Sequence, residues 1–192
     1  MSHISLQPGD ALVLVDVQND FLPGGSLAVP EGDQVIAPIK RWLAEFTRAG
    51  LPVFATRDWH PSDHCSFRAQ GGPWPPHCVA GSGGAQFAPD LALADDPRIT
   101  VISKGTRSEA DAYSGFEGTD LHARLQSAGV RRLFVGGLAT DYCVLNTVLD
   151  ARRLGYEVEL LERAIHPVEV HTGDGARATA AMIDAGATLL KD

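Results

Sequence analysis

Asp16, Lys104 and Cys143 are residues that could carry out acyl transfer, and each follows a short apolar segment of the chain. A cysteine thiol becomes a strong nucleophile when a base accepts its proton or a cation stabilises its charge. Asp16 could act as that base and later give the proton to a leaving amine, while Lys104 could hold the carboxylate and stabilise negative charge. The alternative is a structural ion pair between Asp16 and Lys104, with Cys143 filling space.

The surroundings of Cys143 favour the reactive role. Residues 131–137 are typical of a short strand that ends in glycines, and residues 138–145 predict a turn followed by the start of a helix. Unpaired N–H groups and the positive end of the helix dipole would favour thiolate over thiol there, and they could also cradle an oxyanion. An inert buried cysteine is the commoner alternative.

A second group of reactive residues lies in the long segment 59–98, just after the predicted strand that ends near Asp58. Asp58 and His60 are followed by His64 and, further on, by His77. An aspartate, a histidine two residues later and a more distant histidine make a three-ligand site for a divalent metal, with positions left for water and substrate. His64 fits a fourth ligand, a partner of the ligands or a plain loop residue.

A structural zinc site is the alternative for the same segment. Cys65 and Cys78 stand next to His64 and His77, so two thiolates and two imidazoles could close around the ion. A closed site of that kind would leave Asp58 without a role, which favours the first interpretation.

Large aromatic residues also follow strand ends, at Phe21, Trp74 and Tyr113. They could sandwich a flat ring in a binding pocket. For Phe21 and Tyr113 taken singly, packing of the ring on its own loop is a serious alternative.

Apolar runs that alternate with amphipathic segments predict a doubly wound α/β fold, with a mainly parallel sheet of about six strands and helices on both faces. In such a sheet the ligand crevice lies beyond the carboxyl ends of the strands, where the reactive residues are expected. No repeat or linker interrupts the pattern, so we expect one domain over residues 1–192. The predicted strands cover 11–15, 51–56, 99–103, 131–137, 156–161 and 187–190, and the predicted helices cover 35–49, 119–128, 141–154 and 173–185.

Composition and charge favour a small-molecule ligand. The 192 residues carry a formal net charge of −8 and no basic cluster, which argues against nucleic acid or an anionic membrane as partner. The first residues do not resemble a secretion signal, no apolar run is long enough to span a membrane, and the odd number of cysteines, 3, disfavours a disulfide framework. We therefore expect a cytoplasmic protein, and association into a homo-oligomer is compatible with this composition.

Taken together and in order, the motifs resemble the nicotinamidases (pyrazinamidase-like enzymes) of the isochorismatase-like cysteine hydrolase superfamily. The similarity runs from about Leu14 to Leu161, whereas residues 162–167 match the family's usual continuation poorly. The residues that carry it are 16–21 (DVQNDF), 58–61 (DWHP), 74–79 (WPPHCV), 104–105 (KG), 113–116 (YSGF) and 137–144 (GLATDYCV).

The resemblance implies the isochorismatase-like fold and hydrolysis of nicotinamide, a small aromatic amide, to nicotinate and ammonia in NAD salvage. It also implies a role for each candidate residue, with a cis peptide between Leu138 and Ala139 beside the oxyanion donors. The implied set is a Cys143 nucleophile, Asp16 as base and acid, Lys104 as third member, one Zn, Fe or Mn ion on Asp58, His60 and His77, oxyanion donors in the backbone N–H groups of Ala139 and Cys143, and substrate contacts from Phe21, Trp74 and Tyr113.

Three other functions are compatible with parts of this sequence. A cysteine amidase for carbamoyl or ureido substrates would keep the trio but typically lack the metal motif, and an ether hydrolase of the isochorismatase type needs no cysteine. From another class, a catalytically silent metal-binding or interaction module would be expected to show a broken trio. Asp16, Lys104 and Cys143 are all present.

Overall fold

The computed structural model describes residues 5–191 and contains one six-stranded sheet, all of it parallel. The strand order is β3-β2-β1-β4-β5-β6. This confirms the predicted doubly wound α/β fold. The predicted domain's residues 1–4 and 192 lie outside the described part. The strands are β1 (Asp10–Val15), β2 (Val53–Asp58), β3 (Ile99–Lys104), β4 (Arg132–Leu138), β5 (Glu157–His166) and β6 (Thr188–Leu190).

Helices cover both faces of the sheet, as the alternation of patterns predicted. They are α1 (Ile36–Ala49), α2 (Leu121–Ser127), α3 (Leu145–Arg153) and α4 (Asp174–Asp184). The apolar side of α1 packs on one face, and the other three helices pack on the opposite face. Gly50 ends α1 in the left-handed conformation (φ 66°), which glycine adopts without the steric cost of a side chain.

Strand β1 lies at the centre and is buried along its whole length. Leu12 and Leu14 belong to the core on the α1 face, while Val13 and Val15 belong to the core on the other face. Side chains alternate along a strand, so a continuous apolar run is what a strand buried on both faces requires.

The sheet changes winding direction between β1 and β4. The two strands pair from Asp10 opposite Arg132 to Val15 opposite Gly137. At Gly137 (φ 126°) a Cβ atom would lie 2.0 Å from the carbonyl oxygen of Val15, so only glycine fits there. The loops that follow β1 and β4 diverge from this point, which is where doubly wound sheets bind their ligands.

Strand β5 is longer than the sequence predicted, since it continues past Leu161 to His166. The pairing with β4 shifts register between Val135 and Gly137, and Ile165 then pairs with Gly137. Polar residues at 162–163 interrupt the apolar run on which the prediction rested, and they fall within this irregularity. The poorly matching segment is therefore a bulged extension of a strand.

The long segment 59–98 has little regular structure, as expected of a functional loop. It contains only two short 3₁₀ turns among its described residues, at Arg68–Gln70 and Pro89–Leu91. Within residues 5–191, no helix combines the length and the apolar character needed to cross a bilayer.

Candidate active site

The structure brings Asp16, Lys104 and Cys143 together at the carboxyl edge of the sheet, and all three are buried. Asp16 directly follows β1, Lys104 is the last residue of β3, and Cys143 lies in the turn after β4. Lys104 Nζ is 2.9 Å from Asp16 Oδ2 and 3.5 Å from Cys143 Sγ. The long lysine side chain therefore spans the distance that separates its strand from the other two.

Lys104 is also the link to the second group of reactive residues. Its Nζ lies 2.5 Å from Asp58 Oδ1 and donates to the carbonyl oxygen of Ala112 at 3.1 Å. Burial alone would lower the pKa of Lys104, but Asp16 and Asp58 outweigh it and hold the pKa well above its ordinary value. Burial acts to raise the pKa of Asp58, yet Lys104 and His60 lower it overall. These shifts favour the charged forms of both Lys104 and Asp58.

Asp16 is placed to accept a proton. Its backbone is in the left-handed region (φ 49°), which only asparagine and aspartate enter with some ease among residues with a side chain. Thr56 Oγ1 donates to Asp16 Oδ1 at 2.6 Å, and Lys104 Nζ lies 2.9 Å from Oδ2. One carboxylate oxygen of Asp16 lies within 4.8 Å of Cys143 Sγ. Burial raises the pKa of Asp16 although Lys104 opposes it, so the carboxylate is a stronger base than an exposed aspartate.

The expectation that the helix start would favour a Cys143 thiolate is wrong. Burial, with added repulsion from Asp16 and Asp58, raises the pKa of Cys143 well above its ordinary value despite the nearby Lys104 charge. Cys143 does lie at a helix start, because its π-helical turn, Thr140–Val144, runs directly into α3. The raised pKa favours the protonated thiol over the thiolate at this position.

Asp58, His60 and His77 form a group with metal-binding chemistry. One ligand atom of each residue lies within 4.8 Å of those of the others, and all three residues are buried. His60 Nδ1 is 2.9 Å from the carbonyl oxygen of Gly105, and His77 Nδ1 is 2.8 Å from that of Pro75. A carbonyl can only accept, so each Nδ1 carries hydrogen and each Nε2 keeps a free lone pair. Two imidazoles and a carboxylate suit a divalent ion that retains open positions.

Gly105 makes room for the His60 ring. A Cβ atom at this position would lie 2.4 Å from a carbon of that ring, and the backbone is left-handed there (φ 59°). The end of β3 thus supplies both Lys104 and the carbonyl group that orients His60.

His64 lies beside the three ligands in this structure. Its ring stacks on that of His60 with 4.0 Å between centroids. Both nitrogens are engaged, because Nδ1 is 2.7 Å from Ser66 Oγ and Nε2 is 3.2 Å from the carbonyl oxygen of Ala110. Of the three alternatives for His64, these contacts favour a partner that packs against His60.

The closed zinc site considered above is not assembled. Cys65 and Cys78 are free thiols, and within the described chain neither belongs to a group of three metal-capable side chains. Burial raises the pKa of Cys78 far above its ordinary value, so it is a protonated core residue.

Phe21, Trp74 and Tyr113 line one cavity that opens onto Cys143. Trp74 Nε1 donates to the Tyr113 hydroxyl at 3.0 Å, and the Phe21 ring is 5.8 Å from the ring of His77. Bound ligands would therefore meet aromatic faces on several sides. The lining also includes Leu27, Val29, Asp58, His77, Ala139, Tyr142 and Val168.

The candidate oxyanion donors border the same cavity. Ala139 and Cys143 both line it, and the peptide bond between Leu138 and Ala139 is cis, as the resemblance implied. The carbonyl oxygen of Ala139 accepts hydrogen bonds from the backbone N–H groups of Tyr142 and Val144, each at 3.1 Å. These bonds fix the turn that carries Cys143 against the end of β4.

Sequence reasoning missed three residues of the site: Thr56, Gln18 and Tyr142. Gln18 accepts from the backbone N–H group of Asp58 and donates to its carbonyl oxygen, both at 2.8 Å, which fixes the backbone that carries the Asp58 carboxylate. Tyr142 closes the cavity against Trp74, with 5.2 Å between ring centroids. Gln18 and Tyr142 lie inside the motifs at 16–21 and 137–144, which was the available signal, whereas nothing in the sequence distinguishes Thr56.

Comparisons with known proteins agree with this geometry. A family model described as "Isochorismatase domain" matches residues 10–191. The nicotinamidase of Escherichia coli (strain K12) is 40% identical, covering 95% of this chain and 94% of its own length. The pyrazinamidase of Pyrococcus horikoshii in complex with zinc is 45% identical with a TM-score of 0.91, over 96% of this chain and 100% of the other. PnC1 from L. infantum in complex with nicotinate is 42% identical with a TM-score of 0.88, over 98% and 96%.

The order of the sheet and the three reactive residues at its switch point define a doubly wound α/β protein with the site of a cysteine hydrolase. The chain belongs to the isochorismatase family. Its similarity to enzymes named nicotinamidase and pyrazinamidase extends over nearly its whole length.

Proposed function

We propose that this protein is a nicotinamidase, which hydrolyses nicotinamide to nicotinate and ammonia. The observation that carries the proposal is the position of Lys104, which contacts Asp16, Cys143 and Asp58 at once. A nucleophile with its base and a group of metal ligands therefore border a single aromatic-lined cavity. The similarity to the E. coli nicotinamidase, and to an L. infantum structure in complex with nicotinate, supports a pyridine ring in that cavity.

The first half of the proposed reaction forms a thioester. Cys143 Sγ attacks the carboxamide carbon while its proton passes to Asp16 Oδ2, and the carbonyl electron pair moves to oxygen. Backbone N–H groups of Ala139 and Cys143 stabilise the oxyanion, and the Lys104 charge stabilises the carboxylate. Asp16 then protonates the amide nitrogen, the C–N bond breaks, and ammonia leaves.

The second half hydrolyses the thioester. Asp16 removes a proton from water, and the oxygen attacks the acyl carbon. The C–S bond then breaks, and Cys143 recovers the proton from Asp16 as nicotinic acid leaves and gives its own proton to solvent or ammonia to become nicotinate. The raised pKa of Asp16 and its carboxylate oxygen within 4.8 Å of Cys143 Sγ suit a group that must both accept and return a proton.

We propose that Asp58, His60 and His77 hold one divalent ion, and that the ion is zinc rather than iron or manganese. The zinc-bound structure of the P. horikoshii relative supports zinc, whereas the donor set of two imidazoles and a carboxylate suits zinc and iron alike. When bound, the ion supplies a Lewis acid that accepts a lone pair from the pyridine nitrogen or from water. His60 and His77 present their ligand atoms because backbone carbonyl groups fix both rings.

The competing functions have less support. A carbamoyl or ureido amidase would have no use for the group formed by Asp58, His60 and His77, and a catalytically silent module would not need the buried contacts of Lys104. We further propose one catalytic domain over residues 1–192 that acts in NAD salvage in the cytoplasm. Three free cysteines suit a reducing compartment.

The test is turnover of nicotinamide by the zinc-loaded protein, followed as nicotinate and ammonia. We expect Cys143→Ala to lower kcat by at least about 10⁴-fold, because the covalent path is lost, while zinc content and far-UV circular dichroism stay unchanged. Cys65→Ala is the matched control, since that thiol lies outside the cavity, and its activity should equal that of the parent. Turnover of a ureido substrate but not of nicotinamide would overturn the proposal.

A further inference from the structure

The segment between β5 and α4, residues 167–173, forms part of the cavity wall. Val168 lines the cavity beside Leu27 and Val29. It also packs against the buried core on the α1 face of the sheet. The next residue, Glu169, is left-handed (φ 56°), so the chain turns sharply just after the wall residue. What fixes this turn therefore also fixes the distance between Val168 and a bound ring.

Asp141 holds the turn at Val168 and Glu169 in place from the segment that carries Cys143. Asp141 lies in the same π-helical turn as Cys143. Its Oδ1 accepts from the backbone N–H group of Val168 at 2.9 Å, and its Oδ2 accepts from that of Glu169 at 3.0 Å. Both carboxylate oxygens are thus used on two consecutive amides, and hydrogen bonds to a charged group are stronger than neutral ones.

Glu169 holds the other end of the segment. Its carboxylate accepts from the backbone N–H groups of Gly173 at 2.7 Å and Gly175 at 2.8 Å, at the start of α4. Gly175 has no side chain to interfere, since a Cβ atom there would lie 2.7 Å from Pro167. The wall segment is therefore tied to the nucleophile turn by Asp141 and to α4 by Glu169.

We propose that Asp141 is a positioning residue that sets the selectivity of the cavity for the size of the aromatic ring, acting through Val168. This inference rests on the proposed function. The two hydrogen bonds to Asp141 hold Val168 at a fixed separation from Cys143. An unsubstituted ring fits between them, while a ring with an added methyl group meets the valine side chain. Asp141 itself does not line the cavity.

The experiment compares Asp141→Ala with the parent, on nicotinamide and on methyl-substituted nicotinamides. Loss of two charge-assisted hydrogen bonds should raise KM for nicotinamide about tenfold, with kcat within about threefold. The ratio of kcat/KM for the methylated amide to that for nicotinamide should rise at least about fivefold, since one methylene in a pocket is worth about 10-fold or more. Asp141→Asn keeps an acceptor and should recover part of the loss.

Two controls separate this role from a general structural one. Alkylation of Cys143 by iodoacetamide should proceed at the parental rate in Asp141→Ala if the nucleophile turn is intact. Asp174→Ala is the matched carboxylate control, because Asp174 accepts from the backbone N–H group of His171 in the same segment but contacts neither Val168 nor Glu169. The KM and selectivity of Asp174→Ala should stay within about twofold of the parent, since both hydrogen bonds to Asp141 remain.

A double-mutant cycle with Val168→Ala tests whether Asp141 acts through that side chain. Val168→Ala alone should admit the methylated amide, and adding Asp141→Ala should then change selectivity less than twofold, because the shared effect is already lost. Additive changes in selectivity would overturn the inference, as would an unchanged KM or a slowed alkylation in Asp141→Ala. A parent protein that turns over no nicotinamide would overturn the proposed function and this inference together, whereas the other outcomes leave the proposed function standing.

Discussion

The two halves of the site are built in different ways. Asp16, Lys104 and Cys143 come from or directly follow three separate strands and are bound by buried charges. Asp58 also ends a strand, but His60 and His77 come from the long segment 59–98 and are oriented by neutral backbone carbonyl groups. The first half therefore depends on the sheet and on charge balance, and the second depends on the path of one loop.

Asp58 belongs to both halves. One carboxylate oxygen contacts Lys104 at 2.5 Å, and the other lies 3.6 Å from His60 Nε2. We call Asp16, Lys104 and Cys143 the charge half and Asp58, His60 and His77 the loop half. A change in the charge half should affect both stability and chemistry. A change in the loop half should affect metal binding with little loss of fold stability.

Among the changes that test this comparison, Lys104→Ala should have the largest combined effect on stability and turnover. The change leaves Asp16 and Asp58 as buried carboxylates without their cation, which should lower the free energy of unfolding by about 3–5 kcal/mol and kcat/KM by at least about 10³-fold. Urea unfolding and steady-state kinetics measure the two quantities. Lys40→Ala is the matched control, because Lys40 pairs with Asp90 at 3.1 Å on the surface and should cost less than about 1 kcal/mol. Equal stability of the two variants would contradict the charge-balance argument.

Removal of the metal should impair the loop half and leave the charge half and the fold in place. A chelator should lower turnover by at least about 100-fold, because a Lewis acid contributes several kcal/mol, yet the far-UV circular dichroism should be retained. The melting temperature should fall only by the contribution of metal binding, and added zinc should restore activity. Cooperative unfolding on chelation would show instead that the loop half holds the fold together.

Gly105→Ala should weaken metal binding without altering the trio. The added Cβ atom would displace the His60 ring, which lies 2.4 Å from it, and should lower metal affinity about 10–100-fold, as disturbance of a ligand's support typically does. Zinc titration measures this loss. Gly118→Ala provides the control for backbone strain, since Gly118 is also left-handed (φ 65°) but has no atom within 4 Å of the added carbon. Similar affinities in both variants would exclude the steric cause.

Thr56→Val should have the smallest effect and should act on the charge half alone. It removes the 2.6 Å hydrogen bond to Asp16 Oδ1 and should lower kcat about tenfold through poorer orientation of the base. KM and zinc content should stay at parental values. Thr56→Ser restores the hydroxyl group and should recover most of the rate; a rate unchanged in Thr56→Val would show that the hydroxyl group does not orient Asp16.

The six strands and the candidate residues at their carboxyl ends could be predicted because apolar runs are visible in the sequence and parallel strands end on one edge. The end of β5 could not be predicted, because Glu162 and Arg163 interrupt the apolar run where the strand bulges. The direction of the Cys143 pKa shift was predicted wrongly, since burial and neighbouring carboxylates depend on the folded surroundings. The roles of Thr56 and Asp141 arise from partners far away along the chain.

The strand order has a consequence for synthesis of the chain. Asp16, Asp58, His60, His77 and Lys104 all precede β4, whereas Cys143 follows it. Domains can begin to fold while the ribosome is still extending them, N-terminal part first. A nascent chain that stops before β4 therefore holds the proposed base, Lys104 and the proposed metal ligands but lacks Cys143, so we expect hydrolysis only after β4 has docked beside β1 and Cys143 has followed it.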